Sequence, residues 1–428
     1  MKATEYKLIN VSNGRLSEDQ GWTLSDCESP SPSMVRALYK SSEFCPDLKE
    51  NGLYRYHNWM PVKHSLEGSC APVTYKSEAL AKELGMSRLY ITFSGWNPSI
   101  GAKFKTCSFK ETEAYSVCSR LSENEKRILV VASAGNTARA FASVCSHNNI
   151  PLIVTIPYDN MNAMWFDSPL NPCVKIVASP HCSDYFDAIA VADKICSDSS
   201  FLAEGGAKNI ARRDGMGTTL LSAIECIGEI PDAYFQAVGS GTGAIAAWEN
   251  NLRLIADGRF GTKKMKLCVS QNHPFTIMYD SWILKQRQLV DFPAERARKA
   301  SSEIKAKVLS NRKPPYSLAG GLYDALCDTA GTIYKVENSE LEYWKALFLE
   351  KEGYDIYSAA SVAVASLAQA LARKDIGKDD IVMLNITGGG EMQRKKELGS
   401  SIFYTEPDLV IDPETDAEEI LTQVKNLF

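Results

Sequence analysis

Four short segments combine residue types that could do chemistry together. In Ser108-Phe109-Lys110 a polar loop runs into an expected helix. A lysine at such a helix start, behind an aromatic ring, has its ammonium form disfavoured, which makes it a candidate Schiff-base nucleophile; a solvated surface lysine is the plainer alternative. Ser133-Ala-Gly-Asn136-Thr137 follows an apolar run and can present an amide side chain and helix N-terminal N–H groups, or simply turn the chain with an N-cap. Gly239-Ser240-Gly241-Thr242-Gly243 also follows an apolar run. Small residues there let backbone N–H groups converge on a phosphate at the positive end of a helix. The lysine of a P-loop is missing, and alternating glycines alone are a weak dinucleotide signal. In Asn385-Ile-Thr387-Gly-Gly-Gly-Glu391 glycines leave Thr387 at the tip of a buried strand, unless the run is only a flexible loop.

The elements that must position these residues follow from periodicity. Continuous β-branched runs at 128–132, 151–156, 174–178, 233–238, 264–269 and 381–386 alternate with helical patterns at 77–85, 108–119, 138–148 and 185–197. That alternation predicts parallel sheets covered on both faces, a doubly wound α/β class in which ligands bind beyond the carboxyl ends of the strands. Residues 1–75 are rich in Ser, Glu, Asn and Tyr and predict an irregular N-terminal module with short antiparallel strands.

Composition limits the function classes. The 428 residues carry 47 basic and 52 acidic side chains, a net charge of −5, with 45% hydrophobic residues. This balance argues against nucleic acid or an anionic membrane as partner, while a local basic pocket stays open. No apolar stretch reaches the roughly 18 residues of a spanning helix, and the first residues are polar, without a secretory core. Twelve scattered cysteines fit a reducing cytoplasm. The five histidines, His57, His64, His147, His181 and His273, show no metal-ligand spacing, so no metal is expected. Only His273, in Gln271-Asn-His-Pro-Phe, draws attention. Cys107 reads as a small packed thiol.

The order of the four segments resembles fold-type II pyridoxal-phosphate enzymes. Ser108-Phe109-Lys110 is similar to the SFK of the threonine synthase family, Ser133 to Asn136 to its asparagine loop, and 352–363 to its EG…SA helix entry. The resemblance covers about residues 50–400. It departs where the usual SFKDR becomes Ser108-Phe-Lys-Glu111-Thr112, without the arginine. The stretches at 105–114, 52–62 and 271–278 resemble a branch of that family, the cysteate synthases, which make L-cysteate from O-phospho-L-serine and sulfite.

The resemblance implies a tryptophan synthase β-like fold. Residues 76–120 and 211–428 would form a large domain holding pyridoxal 5'-phosphate, and 121–210 a smaller one carrying the asparagine loop. It also implies the roles. Lys110 would form the Schiff base and act as base at Cα. Asn136 would bond the cofactor's phenolate oxygen, and Gly239, Ser240, Gly241, Thr242 and Gly243 its phosphate. Thr387 would meet the pyridine nitrogen, and Ser133 and Thr137 would bind the substrate carboxylate. Lys103, Lys105, Arg139, Arg212 and Arg213 lie in or near the motifs as candidate cations for anionic substrates, a surface charge being the plainer reading of each; Arg139, at a helix start just after the asparagine loop, is the first choice. The default assembly is a homodimer. Three alternatives stand beside this one: a threonine synthase acting on O-phosphohomoserine, a catalytically silent sensor on the same fold, and a nicotinamide dehydrogenase with Asp257 as ribose ligand.

Overall fold

The structure is a computed structural model that describes residues 1–133 and 135–428. Its larger sheet has six strands in the order Thr332–Val336, Lys266–Asn272, Ala233–Ala237, Val382–Ile386, Leu89–Phe93 and Val73–Lys76. The first five run parallel and the last pairs antiparallel with its neighbour. The two middle strands are buried along their whole length, as their apolar composition requires of strands covered on both faces. The helix Ser358–Arg373, rich in alanine and valine, packs on one face. The helices Lys110–Arg120, Ile210–Ile227 and Thr242–Asp257 lie together in the other core layer.

The smaller sheet is parallel throughout, in the order Phe201–Ala203, Ile128–Ala132, Leu152–Pro157, Val174–Ser179 and Leu409–Val410. Its last strand is a difference from the sequence reading, which placed the whole C-terminus with the large domain. Without Leu409–Val410 the strand Val174–Ser179 would present an open row of backbone groups. Instead Ile411 N–H donates to Ala178 C=O at 2.8 Å, and Ile176 N–H donates to the Asp408 carboxylate at 2.7 Å. The helix Ala417–Lys425 then lays Ile420 and Val424 on Val130, Ile153 and Val191 in one buried cluster.

The N-terminal module holds a three-stranded antiparallel sheet, Leu16–Ser17, Tyr6–Asn10 and Val35–Tyr39. It is anchored by charge as well as by packing. Arg213, fully buried, donates to Glu249 at 3.0 Å and to Val35 C=O, and Arg36 donates to the other Glu249 oxygen at 3.0 Å. No helix among the described residues is long and apolar enough to cross a membrane.

Candidate active site

Lys110 opens the helix Lys110–Arg120. The loop before it is clamped to the strand tip of Val382–Ile386: Phe109 N–H donates to Thr387 C=O at 2.9 Å, and Gly389 N–H donates to Cys107 C=O at 3.0 Å. Gly388 permits this approach, since a Cβ there would lie 2.7 Å from the Cys107 carbonyl oxygen. The lysine and Thr387 therefore share one rigid corner, although 277 positions separate them in the chain.

Both face a cavity of about 950 Å³ between the two sheets. Its wall also carries Ser133, Asn136, Thr137 and the run Gly239 to Gly243. Asn136 begins the helix Asn136–His147, and Ser133 caps that helix through its hydroxyl, which accepts from Gly135 N–H at 3.1 Å and Ala138 N–H at 2.9 Å. Ala134, the middle of the expected asparagine loop, lies outside the described residues. Among the described residues neither the Asn136 amide nor the Thr387 hydroxyl has a hydrogen-bond partner.

The turn at 239–243 precedes the helix Thr242–Asp257, with Gly241 in the left-handed region at φ +80°. Among the described residues the N–H groups of Gly239, Ser240, Gly241, Gly243 and Ala244 find no acceptor. The Ser240 and Thr242 hydroxyls bond each other at 2.8 Å. Unpaired donors at a positive helix end fit a phosphate dianion. An amine, an amide, a turn of unpaired N–H donors among the described residues and a hydroxyl on one cavity wall fit pyridoxal phosphate.

The electrostatics centre on Lys110. Its Nζ donates to Glu113 Oε2 at 3.2 Å and lies 4.9 Å from the Phe109 ring centroid. Burial holds the Lys110 ammonium below the usual lysine range, against the pull of Glu113. Burial pushes the Glu113 carboxyl up, but Arg212, Lys110 and Thr137 together bring it below the ordinary carboxylate value. Arg212 donates to Glu113 at 3.1 and 2.9 Å and to Glu204 at 2.6 Å. Burial raises Glu204 in spite of that arginine.

Several sequence expectations land elsewhere. Arg139, expected at the substrate, is not on the cavity wall. Its guanidinium stacks 4.4 Å from the Trp165 centroid and donates to Thr106 C=O and, at 2.8 Å, to the Tyr357 hydroxyl. The first turn of its helix points its side chain back under the lysine loop, where those acceptors are. Arg213 is committed to Glu249, and Lys105 lies 4.0 Å from Asp167. His273 is half exposed beside Glu337, away from the cavity. Asp257 binds Arg259 and Phe44 N–H and does not line the cavity. Burial pushes the Cys107 thiol far up, as suits a packed sulfur.

The sequence reading missed Glu113, Glu204 and Tyr357, and it did not see Arg212 as a wall residue. The signal for Glu113 was present, because three positions after Lys110 on a helix is the same face. Lys208 and Lys313 also line the cavity, and among the described residues neither has a carboxylate partner.

Residues 70–388 match the family model described as pyridoxal-phosphate dependent enzyme. A relative from Methanosarcina acetivorans named cysteate synthase is 45% identical over 391 residues, covering 91% of this chain and 93% of its own. Another of the same name from Methanocella paludicola is 42% identical over 396 residues, covering 92% of each chain. Among solved structures, maize serine racemase has a TM-score of 0.57 at 13% identity, covering 77% of this chain and 93% of its own.

Proposed function

The chain belongs to the pyridoxal-phosphate dependent enzyme family, among the cysteate synthases, and we propose that it carries out their β-replacement: O-phospho-L-serine and sulfite become L-cysteate and phosphate. At Cβ a C–O bond breaks and a C–S bond forms, phosphate leaves with the bonding pair, and nothing is oxidised. The cofactor supplies an aldehyde carbon that condenses with an amine and a ring that accepts the electron pair released at Cα.

The chain's own residues supply the rest. Lys110 offers the amine, and its depressed basicity suits it to take the Cα proton of substrate and return it to product. The N–H groups of Gly239, Ser240, Gly241 and Gly243, with the hydroxyls of Ser240 and Thr242, would hold the cofactor phosphate. Thr387 would offer the pyridine nitrogen a neutral hydroxyl, which does not enforce ring protonation, and Asn136 would bond the phenolate oxygen. The N–H groups of Asn136 and Thr137 at a helix start suit the substrate carboxylate, and among the described residues neither finds an acceptor. Lys208 and Lys313 at the cavity rim suit the incoming anions. Placement of the site between two sheets suits closure of the smaller one, which excludes water from a reactive Cβ.

The observation that carries the reading is that the matched segment 70–388 contains Lys110, Asn136, 239–243 and Thr387, all on one cavity wall. The purified protein incubated with O-phospho-L-serine and sulfite is expected to release cysteate and phosphate. Threonine from O-phosphohomoserine, without cysteate from O-phosphoserine, would replace the reading with a threonine synthase. A cytoplasmic homodimer is part of the proposal, and light scattering at twice the 47.2 kDa chain mass would support the dimer.

A further inference from the structure

Glu113 has no exposure at all, yet it makes four polar contacts from three different elements. Its own helix brings Lys110, three residues earlier, with Nζ at 3.2 Å from Oε2. The helix Ile210–Ile227 brings Arg212, whose Nε and Nη2 reach both carboxylate oxygens at 3.1 and 2.9 Å, a paired fork that fixes the plane of the carboxylate. The helix Asn136–His147 of the smaller sheet brings the Thr137 hydroxyl to Oε1 at 2.9 Å. A buried carboxylate held by three fixed donors has one direction left in which to act, and that direction is Lys110.

We propose that Glu113 is a positioning residue: anchored by Arg212 and Thr137, its carboxylate holds the Lys110 amine at the cavity wall and governs when that amine is free to attack an aldehyde. The inference rests on the reading of Lys110 as the cofactor-bearing lysine.

The charges around Lys110 come from every side. Glu113 lies on its own helix, Arg212 on a second, and Glu204 follows the strand Phe201–Ala203. Tyr185 begins the helix Tyr185–Ile195 on the same cavity wall, and Lys208 stands at the rim. Fully ionised, Lys110, Arg212, Glu113 and Glu204 sum to zero. Arg212 is taken by carboxylates on both of its edges, so its charge serves this cluster rather than an incoming substrate anion. Glu113 is the only one of these carboxylates in hydrogen-bond contact with Lys110 among the described residues. Removing its charge leaves Lys110 facing a desolvating wall and Arg212, which favour the neutral amine, with only the more weakly acting Glu204 opposing them. The Thr137 contact also ties this control to the helix that follows a strand of the smaller sheet.

The test is trace labelling of the full-length, cofactor-free chain with acetic anhydride across a pH series, reading acetylation of the peptide bearing Lys110 by mass spectrometry. Only the neutral amine reacts. In Glu113→Gln the midpoint of labelling is expected to fall by about one pH unit or more, so that below both midpoints Lys110 labels about tenfold faster than in the parent. Glu113→Asp, which keeps the charge, is expected to recover most of the parent midpoint. An unchanged midpoint in a folded Glu113→Gln overturns the inference. Should that variant fail to fold, Arg212→Gln carries the test in the opposite sense: the midpoint is expected to rise, and a fall or no change overturns the inference. Labelling requires neither cofactor nor turnover. A shifted midpoint in a protein that makes no cysteate would therefore sink the proposed function alone, and an unshifted midpoint in an active enzyme would sink this inference alone.

Discussion

Gly243 stands where one added methyl group reaches both the turn proposed to hold the cofactor phosphate and the polar layer beneath it. A Cβ on Gly243 would lie 2.6 Å from Gln236 Nε2 and 2.7 Å from Gln236 Oε1. Gln236 is not free to withdraw. Its Oε1 accepts from the Tyr234 hydroxyl, the Asn385 amide lies 3.4 Å from the same oxygen, and Tyr234 and Asn385 are buried. Forcing a methyl group into such a packed layer costs about 1–3 kcal/mol. The better helix preference of alanine returns about 1 kcal/mol. A net loss of about 0–2 kcal/mol in the cofactor-free protein follows, read by urea unfolding. The backbone can relieve the clash by moving toward the cavity, which turns N–H groups away from a bound phosphate. Loss of one hydrogen bond to a charged group costs about 1.5–3 kcal/mol, which is about 10- to 150-fold in the dissociation constant of pyridoxal phosphate. Absorbance titration of Gly243→Ala measures it. Gly258→Ala is the control: it sits at φ +81° at the other end of the same helix with nothing within 4 Å of an added Cβ. It is expected to lose about 1–2 kcal/mol of stability from left-handed backbone strain alone, with unchanged cofactor affinity. Equal affinity in Gly243→Ala and the parent, or equal weakening in both variants, would refute the assignment of this turn to the phosphate.

Other perturbations separate site from scaffold. Arg139→Ala removes a buried guanidinium bonded to Thr106 C=O and the Tyr357 hydroxyl, so it is expected to cost about 2–4 kcal/mol in chemical unfolding; a raised KM at parental stability would return Arg139 to the substrate. Glu111 is fully buried and accepts from Thr106 N–H and the Thr106 hydroxyl, and burial pushes its carboxyl up to about 7. A folded-state value above the unfolded one means the folded protein binds the extra proton. The contribution of Glu111 to stability is therefore full below the unfolded value near 4.5 and is lost as pH rises through about 7. Glu111→Gln is expected to flatten that fall, gaining roughly 2–4 kcal/mol on the parent between acidic and mildly alkaline pH; parallel stability curves would contradict it.

Much of the architecture was legible because it rests on local pattern. The runs at 128–132, 174–178 and 381–386 are strongly apolar, broken only by Lys175 and Asn385, and the structure has Ile128–Ala132, Val174–Ser179 and Val382–Ile386. The chemistry-bearing turns follow such strands, so their motifs could be placed on the fold. What stayed hidden depends on distance in the chain. Nothing local in 409–425 says that it completes the sheet of Val174–Ser179, because that contact joins elements more than 200 residues apart. Arg139 shows the same limit. Its position at a helix start after the asparagine loop suggested an anion site, but the direction of its side chain was set by Trp165, Thr106 and Tyr357, which arrive from three other segments. Glu113 lay in plain view on the lysine's own helix face. Its meaning came only with Arg212 and Thr137, from elements 99 and 24 positions away.

The most direct measurement reduces the protein, freshly purified with pyridoxal phosphate, with borohydride, and then maps its peptides by mass spectrometry. The expected result is a single phosphopyridoxyl adduct on Lys110, absent from Lys110→Ala together with turnover. An adduct on Lys103, Lys105 or Lys208 instead, or none on any lysine, would contradict the account.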